Sequence, residues 1–330
     1  MNAPANKISF SQAINQALDE AMAADPMVIL LGEDVADEQG GGVFKTSAGL
    51  STKYGIERVR ATPISEQAIM GAAVGAAITG MRPVAEIMFM NFLTVCMDQI
   101  VNHAAKLRFM SGGKTSVPLT IRCGTGAGVG FGGQHSDMLE AWFAHVPGMK
   151  VVTASNPADA KGLLLSAVED DDPTLFIENV AMYATQGAPP EPDYRVPLGK
   201  AAVRRAGTDV TVITYGRPVL AVEKVAEAMA GEGVSVEVID LRTIAPFDEE
   251  TVLNAVAKTN RAVVVHEAVK AFGAGAEISS RIHEELFGQL KAPVKRVASK
   301  YAPVPFSPPL EQAFLYSEAE IADAIRSTLR

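Results

Sequence analysis

The sequence predicts an α/β protein: a mainly parallel sheet covered by helices on both faces, followed by a second, smaller α/β unit. Three observations predict it. Short apolar runs of strand length alternate with longer segments of helical period along most of the chain. The length of 330 residues sets a prior of about two domains. One stretch rich in proline and poor in apolar residues, Ala184 to Pro197 (ATQGAPPEPDYRVP), interrupts the alternation as a linker does.

Ser11 to Ala24 reads as an amphipathic helix stopped by Asp25-Pro26, and Met27 to Leu31 as a short apolar strand. Residues 36–50 form a Gly-rich loop. Thr62 to Phe92 is the most distinctive stretch. Ser65 and Glu66 open a helix in which Ile69 to Ile78 is almost wholly Ala, Gly, Val, Ile and Met. With no polar face, this helix is expected to be buried on all sides. Gly71 and Gly75 lie on one side of it and invite close approach of another backbone; each costs about 1 kcal/mol against Ala, so a packing reason is expected. Arg82-Pro83 is expected to end the helix, and Val84 to Phe89 reads as a buried strand. Asn91 to Met110 is read as one long helix. Pro118 to Cys123 is a strand, Gly124 to Gly133 a second Gly-rich loop, Ser136 to His145 a helix and Lys150 to Ala154 a strand. Asn156-Pro157 starts a helix to Val168, and Thr174 to Ile177 is a strand. Beyond the linker, strands are expected at 210–215, 234–240, 262–267 and 294–297. Helices are expected near 218–230, 249–258, 275–287 and 318–329.

Composition excludes several classes. The net charge of −9 speaks against a nucleic-acid partner. Cys96 and Cys123 lie in apolar surroundings, which fits a reducing compartment and neither a disulfide scaffold nor a metal knot. The opening MNAPANKISF lacks the apolar core of a signal peptide, and no apolar run is long enough for a membrane span, so a cytoplasmic protein is expected.

Glu66 is the notable polar residue. A carboxylate at the mouth of an apolar helix is either a capping-box-like group or one held for the ring nitrogen of a bound cofactor. Gly128-x-Gly130-x-x-Gly133 matches a dinucleotide fingerprint between a strand and a helix, but the next strand ends in Thr153-Ala154-Ser155 with no acidic residue for a ribose. Gln134-His135-Ser136-Asp137 cannot be a Ser-His-Asp triad, because adjacent side chains diverge. His103, His145, His266 and His283 show no metal-ligand spacing.

Glu66-x4-Gly71-Ala72-x2-Gly75-Ala76 resembles the glutamate motif of thiamine-diphosphate enzymes. TPISE, GAAVGAA, GMRPVAE, SGG, QHS, PGMKVV, DAKGLL and DLRTIAPFD resemble, in number and order, the β subunit of the decarboxylating component of 2-oxo acid dehydrogenase complexes. That group includes pyruvate, branched-chain 2-oxo acid and acetoin dehydrogenases. The resemblance implies a transketolase-like pyrimidine-binding domain over 1–184, a Pro-rich linker over 185–205 and a smaller domain like the transketolase C-terminal one over 206–330. It implies that thiamine diphosphate lies at an α/β subunit boundary with its pyrimidine against Ile64, Glu66, Met88 and Phe92. Glu66 would hydrogen-bond the ring nitrogen opposite the exocyclic amine and so promote cofactor activation. His135 would be an active-site histidine near the substrate and the incoming lipoyl arm. In similar subunits the turn around Glu169-Asp170-Asp171-Asp172-Pro173, otherwise a solvated acidic run, helps to hold a potassium ion. Carried over, the ligand positions are Leu119, Ala167, Val168, Asp170 and Asp172, through backbone carbonyls.

Enzymes of this kind hold the diphosphate through Mg²⁺, with a Gly-Asp-Gly and a later Asn pair. This chain contains neither Gly-Asp-Gly nor Asn-Asn. An α subunit would therefore supply that half of the site, in an α2β2 heterotetramer that passes the acyl unit to a lipoyl-bearing transacylase. FMNFLTVCMDQIVNHAAKLRFM and PVPFS look closer to acetoin or pyruvate dehydrogenases than to branched-chain ones. Region 34–47 is shorter than the insert associated with acetoin β subunits. A branched-chain β subunit and a split transketolase-like enzyme are the alternatives; the latter needs sugar-phosphate-binding His and Arg clusters, which are not seen in the sequence. A non-catalytic assembly protein is opposed by the intact Glu66 and His135.

Overall fold

A computed structural model describes residues 7–330. The part of the N-terminal reading that rests on MNAPAN lies outside the described residues. The chain divides into two compact units, one of residues 1–125 and 142–198, the other of 126–141 and 199–330.

In the first unit six strands lie side by side in the order Lys150–Thr153, Thr174–Asn179, Thr120–Thr125, Arg82–Phe89, Val28–Glu33 and Val59–Thr62. Every neighbouring pair among them is parallel. The central strands are buried along nearly their whole length, as the unbroken apolar runs of a doubly covered parallel sheet require. Helices Phe10–Ala24 and Pro157–Glu169 share a core with the side chains of Val28, Leu30, Val84, Val152 and Phe176. Ser9 starts the first of these helices with a capping box to Gln12, and the Asn156 side chain caps the other at Asp159. The Pro-rich segment is not a loose tether along its whole length. Tyr194 donates to Asp159 Oδ1 at 2.7 Å, Arg195 pairs with Glu20 and Glu169, and Val196 is buried in the same core.

Two helical expectations are corrected. The segment expected as one helix from Asn91 to Met110 is a 3₁₀ stretch (Met90–Cys96), a π-helix (Gln99–Ala104) and one short α turn (Leu107–Met110). Periodicity alone does not distinguish i→i+3, i+4 and i+5 hydrogen bonding, and such irregular turns recur at functional sites. The Glu66 helix (Glu66–Ile78) is not buried on all sides. Ile69, Met70, Ala73, Val74 and Ala77 are buried, whereas Ala68, Gly71 and Ala72 are exposed and Ile78 is 46% exposed. The helix also stops before Arg82-Pro83. Gly80, at φ +101°, closes it: the Met81 amide donates to Ala76 O and the Gly80 amide to Ala77 O, the paired bonds of a Schellman motif.

The second unit is a five-stranded sheet in the order Lys295–Ser299, Ala262–Val269, Val210–Thr214, Val236–Asp240 and Ala202–Arg205. All of its pairs are parallel except the last, an antiparallel edge strand that the sequence reading missed. Helices Pro218–Gly231 and Glu318–Leu329 pack on it through Val222, Met229, Ile321 and Ile325. The chain leaves Val210–Thr214 to one side and later returns to pair on its other side. The carboxyl end of that strand is therefore a topological switch point, where parallel α/β sheets present a crevice.

Candidate functional site

Glu66 is the first residue of its helix. The preceding Ser65 makes no side-chain cap bond, so the capping-box reading finds no support in the geometry. Among the described residues the Glu66 carboxylate accepts no hydrogen bond from the protein, and it is half-buried. Its neighbours are acids and apolar groups. Burial, with the charges of Asp34 and Glu66, raises the carboxyl of Glu33 above its usual range, and burial aided by Glu66 pushes the Cys96 thiol up to about 12. An unpartnered carboxylate at the positive end of a helix dipole is poised to accept a hydrogen bond from a ligand.

The helix packs against strand Arg82–Phe89 and the 3₁₀ stretch that follows it. Met88 and Phe92 are partly buried there, and Ile64 is 76% exposed. An aromatic wall backs this corner. Phe92 meets Phe89 edge to face at 5.8 Å, Phe89 meets Phe44 likewise at 5.8 Å, and Phe44 meets Tyr183 at 4.9 Å. Tyr183 in turn donates to Glu178, which, with Glu86, holds the fully buried Arg122 at 2.7–3.0 Å. Arg122 Nη2 also donates to Thr46 Oγ1 of the Gly-rich loop at 3.2 Å. Breaking one side of such a buried ion cluster costs about 3–5 kcal/mol, so the cluster fixes the strand ends and the loop that carries Phe44. An apolar, aromatic wall beside one free carboxylate fits a flat nitrogen heterocycle such as the pyrimidine of thiamine diphosphate.

The structure thus brings Ile64, Glu66, Met88 and Phe92 together in the first unit. His135 lies in the second. Of the carbonyls assigned to potassium, Leu119 O accepts from the Thr174 amide at 2.9 Å, while Val168 O and Asp170 O accept from Arg82 Nη1 at 3.1 and 3.0 Å. Each carbonyl oxygen keeps a second lone pair. The acidic turn is already ion-paired: Lys150 reaches Asp170, Arg82 reaches Asp171 and Arg108 reaches Asp172. Cys96 and Cys123 are buried free thiols. No helix among the described residues is long and apolar enough to cross a membrane.

In the second unit the sequence reading missed a polar cluster at the switch point. Tyr215 follows the central strand, stacks on His266 with ring centroids 6.2 Å apart, and donates to Glu140 Oε1 at 2.7 Å. Glu140 is fully buried, and burial pushes its carboxyl up to about 7, with Glu267 adding to the effect. The only hint in the sequence is one acid within the apolar run Met138–Val146. Because the folded value exceeds the ordinary carboxyl value of 4.5, the neutral buried form stabilises the protein fully below about 4.5 and that contribution is lost as pH rises through 7. We expect the stability of wild type relative to Glu140→Gln to fall between pH 5 and 8 by about 1–3 kcal/mol. Denaturant melts of both proteins across that range measure it, and parallel curves would refute the assignment.

Residues 6–186 match the family model of the transketolase pyrimidine-binding domain, and residues 199–321 that of the transketolase C-terminal domain. The chain is 46% identical to the acetoin:2,6-dichlorophenolindophenol oxidoreductase subunit beta of Cupriavidus necator, covering 99% of this chain and 98% of that one. It is 44% identical to the subunit of the same name from Bacillus subtilis, with 94% of each covered. It is also 44% identical to the human mitochondrial pyruvate dehydrogenase E1 component subunit beta, covering 98% of this chain and 91% of that one. A solved split-gene transketolase in an inactive beta4 tetramer superposes with a TM-score of 0.78 at 22% identity over 98% of both chains, which speaks for the fold alone. With its two transketolase-type domains and these near full-length relatives, the chain belongs to the family of β subunits that serves the acetoin and pyruvate dehydrogenases.

Proposed function

We propose that this chain is the β subunit of a thiamine-diphosphate-dependent dehydrogenase acting on pyruvate or acetoin. The observation that carries the reading is Glu66: a carboxylate that accepts no hydrogen bond from the described residues, set at the mouth of a helix whose Ala68, Gly71 and Ala72 are exposed. When bound, thiamine diphosphate supplies the electron sink for cleavage of the carbon–carbon bond beside the substrate carbonyl. Glu66 holds and exchanges a proton at a pyrimidine ring nitrogen, while Ile64, Met88 and Phe92 give that ring its apolar seat. His135 moves a proton or steadies developing charge as the acyl unit passes to a lipoyl group of a transacylase.

An α subunit completes the site. Neither Gly-Asp-Gly nor an Asn pair is present here, so the partner holds Mg²⁺ and the diphosphate. The exposed Ala68, Gly71, Ala72 and Ile78 face supports assembly, in the arrangement α2β2. A Cβ added at Gly75 would meet nothing within 4 Å and one at Gly71 only Gln99 Cγ at 3.8 Å, so the close approach these glycines permit is left to another chain. The potassium ion takes the remaining lone pairs of Leu119, Ala167, Val168, Asp170 and Asp172 carbonyls. The two functional domains follow the two compact units, with residues 126–141 and the strand Ala202–Arg205 in the second.

The test is to assay the purified chain alone and with an α subunit that carries Gly-Asp-Gly and the Asn pair. Pyruvate, acetoin and branched-chain 2-oxo acids are offered with a lipoyl acceptor. The lone chain is expected to be inactive and the pair to turn over pyruvate or acetoin in preference to branched-chain acids. Turnover by the lone chain would defeat the proposal.

A further inference from the structure

The loop from Gly126 to Gly133 carries the Gly-x-Gly-x-x-Gly pattern, and its backbone alternates through left-handed glycines at 126, 128, 130 and 132, with φ between +71° and +105°. Such alternation turns successive amides towards one point and makes a concave nest for an anion. In dinucleotide-binding proteins a phosphate fills that place. Here a carboxylate of the same chain does. The Gly128 amide donates to Glu311 Oε1 at 2.6 Å, and the Gly130 amide donates to Glu311 Oε2 at 3.1 Å and Oε1 at 3.3 Å. A second buried acid, Glu267, accepts from the Ala127 amide at 2.9 Å, and Arg217 Nη1 donates to the Ala127 carbonyl at 2.6 Å. Glu311 and Glu267 are 3% and 2% exposed, so these are desolvated, charge-assisted bonds rather than surface contacts.

The segment around Glu311 closes on the loop as well. Ala127 packs with Val304 and Phe314, and a Cβ on Gly132 would lie 2.4 Å from the Phe306 ring. The His135 amide donates to the Gly132 carbonyl at 3.3 Å, so the turn that presents His135 starts two residues beyond the clamped Gly130. All of these residues belong to the second unit.

We propose that Glu311 is a positioning residue: its carboxylate is the built-in anion of the glycine nest and sets the backbone from which His135 acts. The inference rests on the reading of His135 given above. It also leaves the Gly128 and Gly130 amides, which a pyrophosphate would need, already taken.

The experiment uses the assembled α/β enzyme with Glu311→Ala, Glu311→Gln, His135→Ala and the Glu311→Ala/His135→Ala pair. Amide hydrogen exchange over residues 126–136 is read beside turnover to the lipoyl acceptor, and Glu311→Ala is repeated with added formate. Exchange in Glu311→Ala should rise roughly tenfold or more, the scale of charge-assisted bonds to a buried group. Turnover should fall through kcat with little change in substrate KM. Formate should restore both by refilling the nest. Glu311→Gln keeps the side-chain volume and one acceptor, and should lie between wild type and Ala, so a folding failure of the Ala variant still leaves a reading. In the double variant the loss of turnover should not exceed that of His135→Ala alone, since the two residues act through one group. Wild-type exchange in both Glu311 variants would overturn the clamp. Raised exchange with multiplicative turnover losses would overturn its link to His135. A silent His135→Ala would overturn the underlying reading of that histidine, and is distinguished because exchange is measured without turnover.

Discussion

Glu66→Gln is expected to bind thiamine diphosphate nearly as wild type does and to lose a hundredfold or more in turnover, within the range of about 10²–10⁴ typical for removal of a general acid–base group. Glutamine keeps the size of the side chain and can still hydrogen-bond a ring nitrogen. It cannot give up and regain a proton there. If Glu66 only capped its helix, the same change would be nearly silent, because Gln also serves in capping boxes and cap substitutions move stability by about 1 kcal/mol. The absence of any cap bond from Ser65 already argues against that role. The measurement is deuterium exchange at the acidic thiazolium carbon of the cofactor in the assembled enzyme, with the melting temperature recorded alongside. Wild-type exchange in the variant would sink the catalytic reading.

His135→Ala should be the second large effect. The backbone of its loop is held by Glu267, Glu311 and Arg217, so fold and cofactor binding should survive the change. Transfer to the lipoyl acceptor should fall by about 10²–10⁴ if the ring moves a proton or steadies charge at neutral pH. Single-turnover kinetics separate this step from substrate binding. Unchanged transfer would remove His135 from the chemistry.

Much of the fold was legible because its determinants are local. Unbroken apolar strands, Asn156-Pro157 at a helix start and acids opening the last helix are signals within a few residues. What was not legible depends on contacts distant in sequence or on chains beyond this one. The apolar run Ile69–Ile78 reads as a buried helix, yet Gly71, Ala72 and Ile78 are exposed, and a cover supplied by another chain would leave no mark in this sequence. Gln99–Ala104 has helical periodicity, and only packing decides that it winds as a π-helix. Glu66 and His135 stood out through the motifs around them. Glu140, Tyr215, Glu267 and Glu311 carry no motif: each became visible only when the topology brought the switch point, the glycine loop and a segment near the C-terminus together.

The central claim is that this chain holds the pyrimidine half of a cofactor site and lacks the diphosphate half. Titration calorimetry of thiamine diphosphate with Mg²⁺ tests it most directly, first into the lone chain and then into the chain reassembled with its α subunit. We predict little or no binding by the lone chain and tight, Mg²⁺-dependent binding by the pair. Tight binding to the lone chain would contradict it.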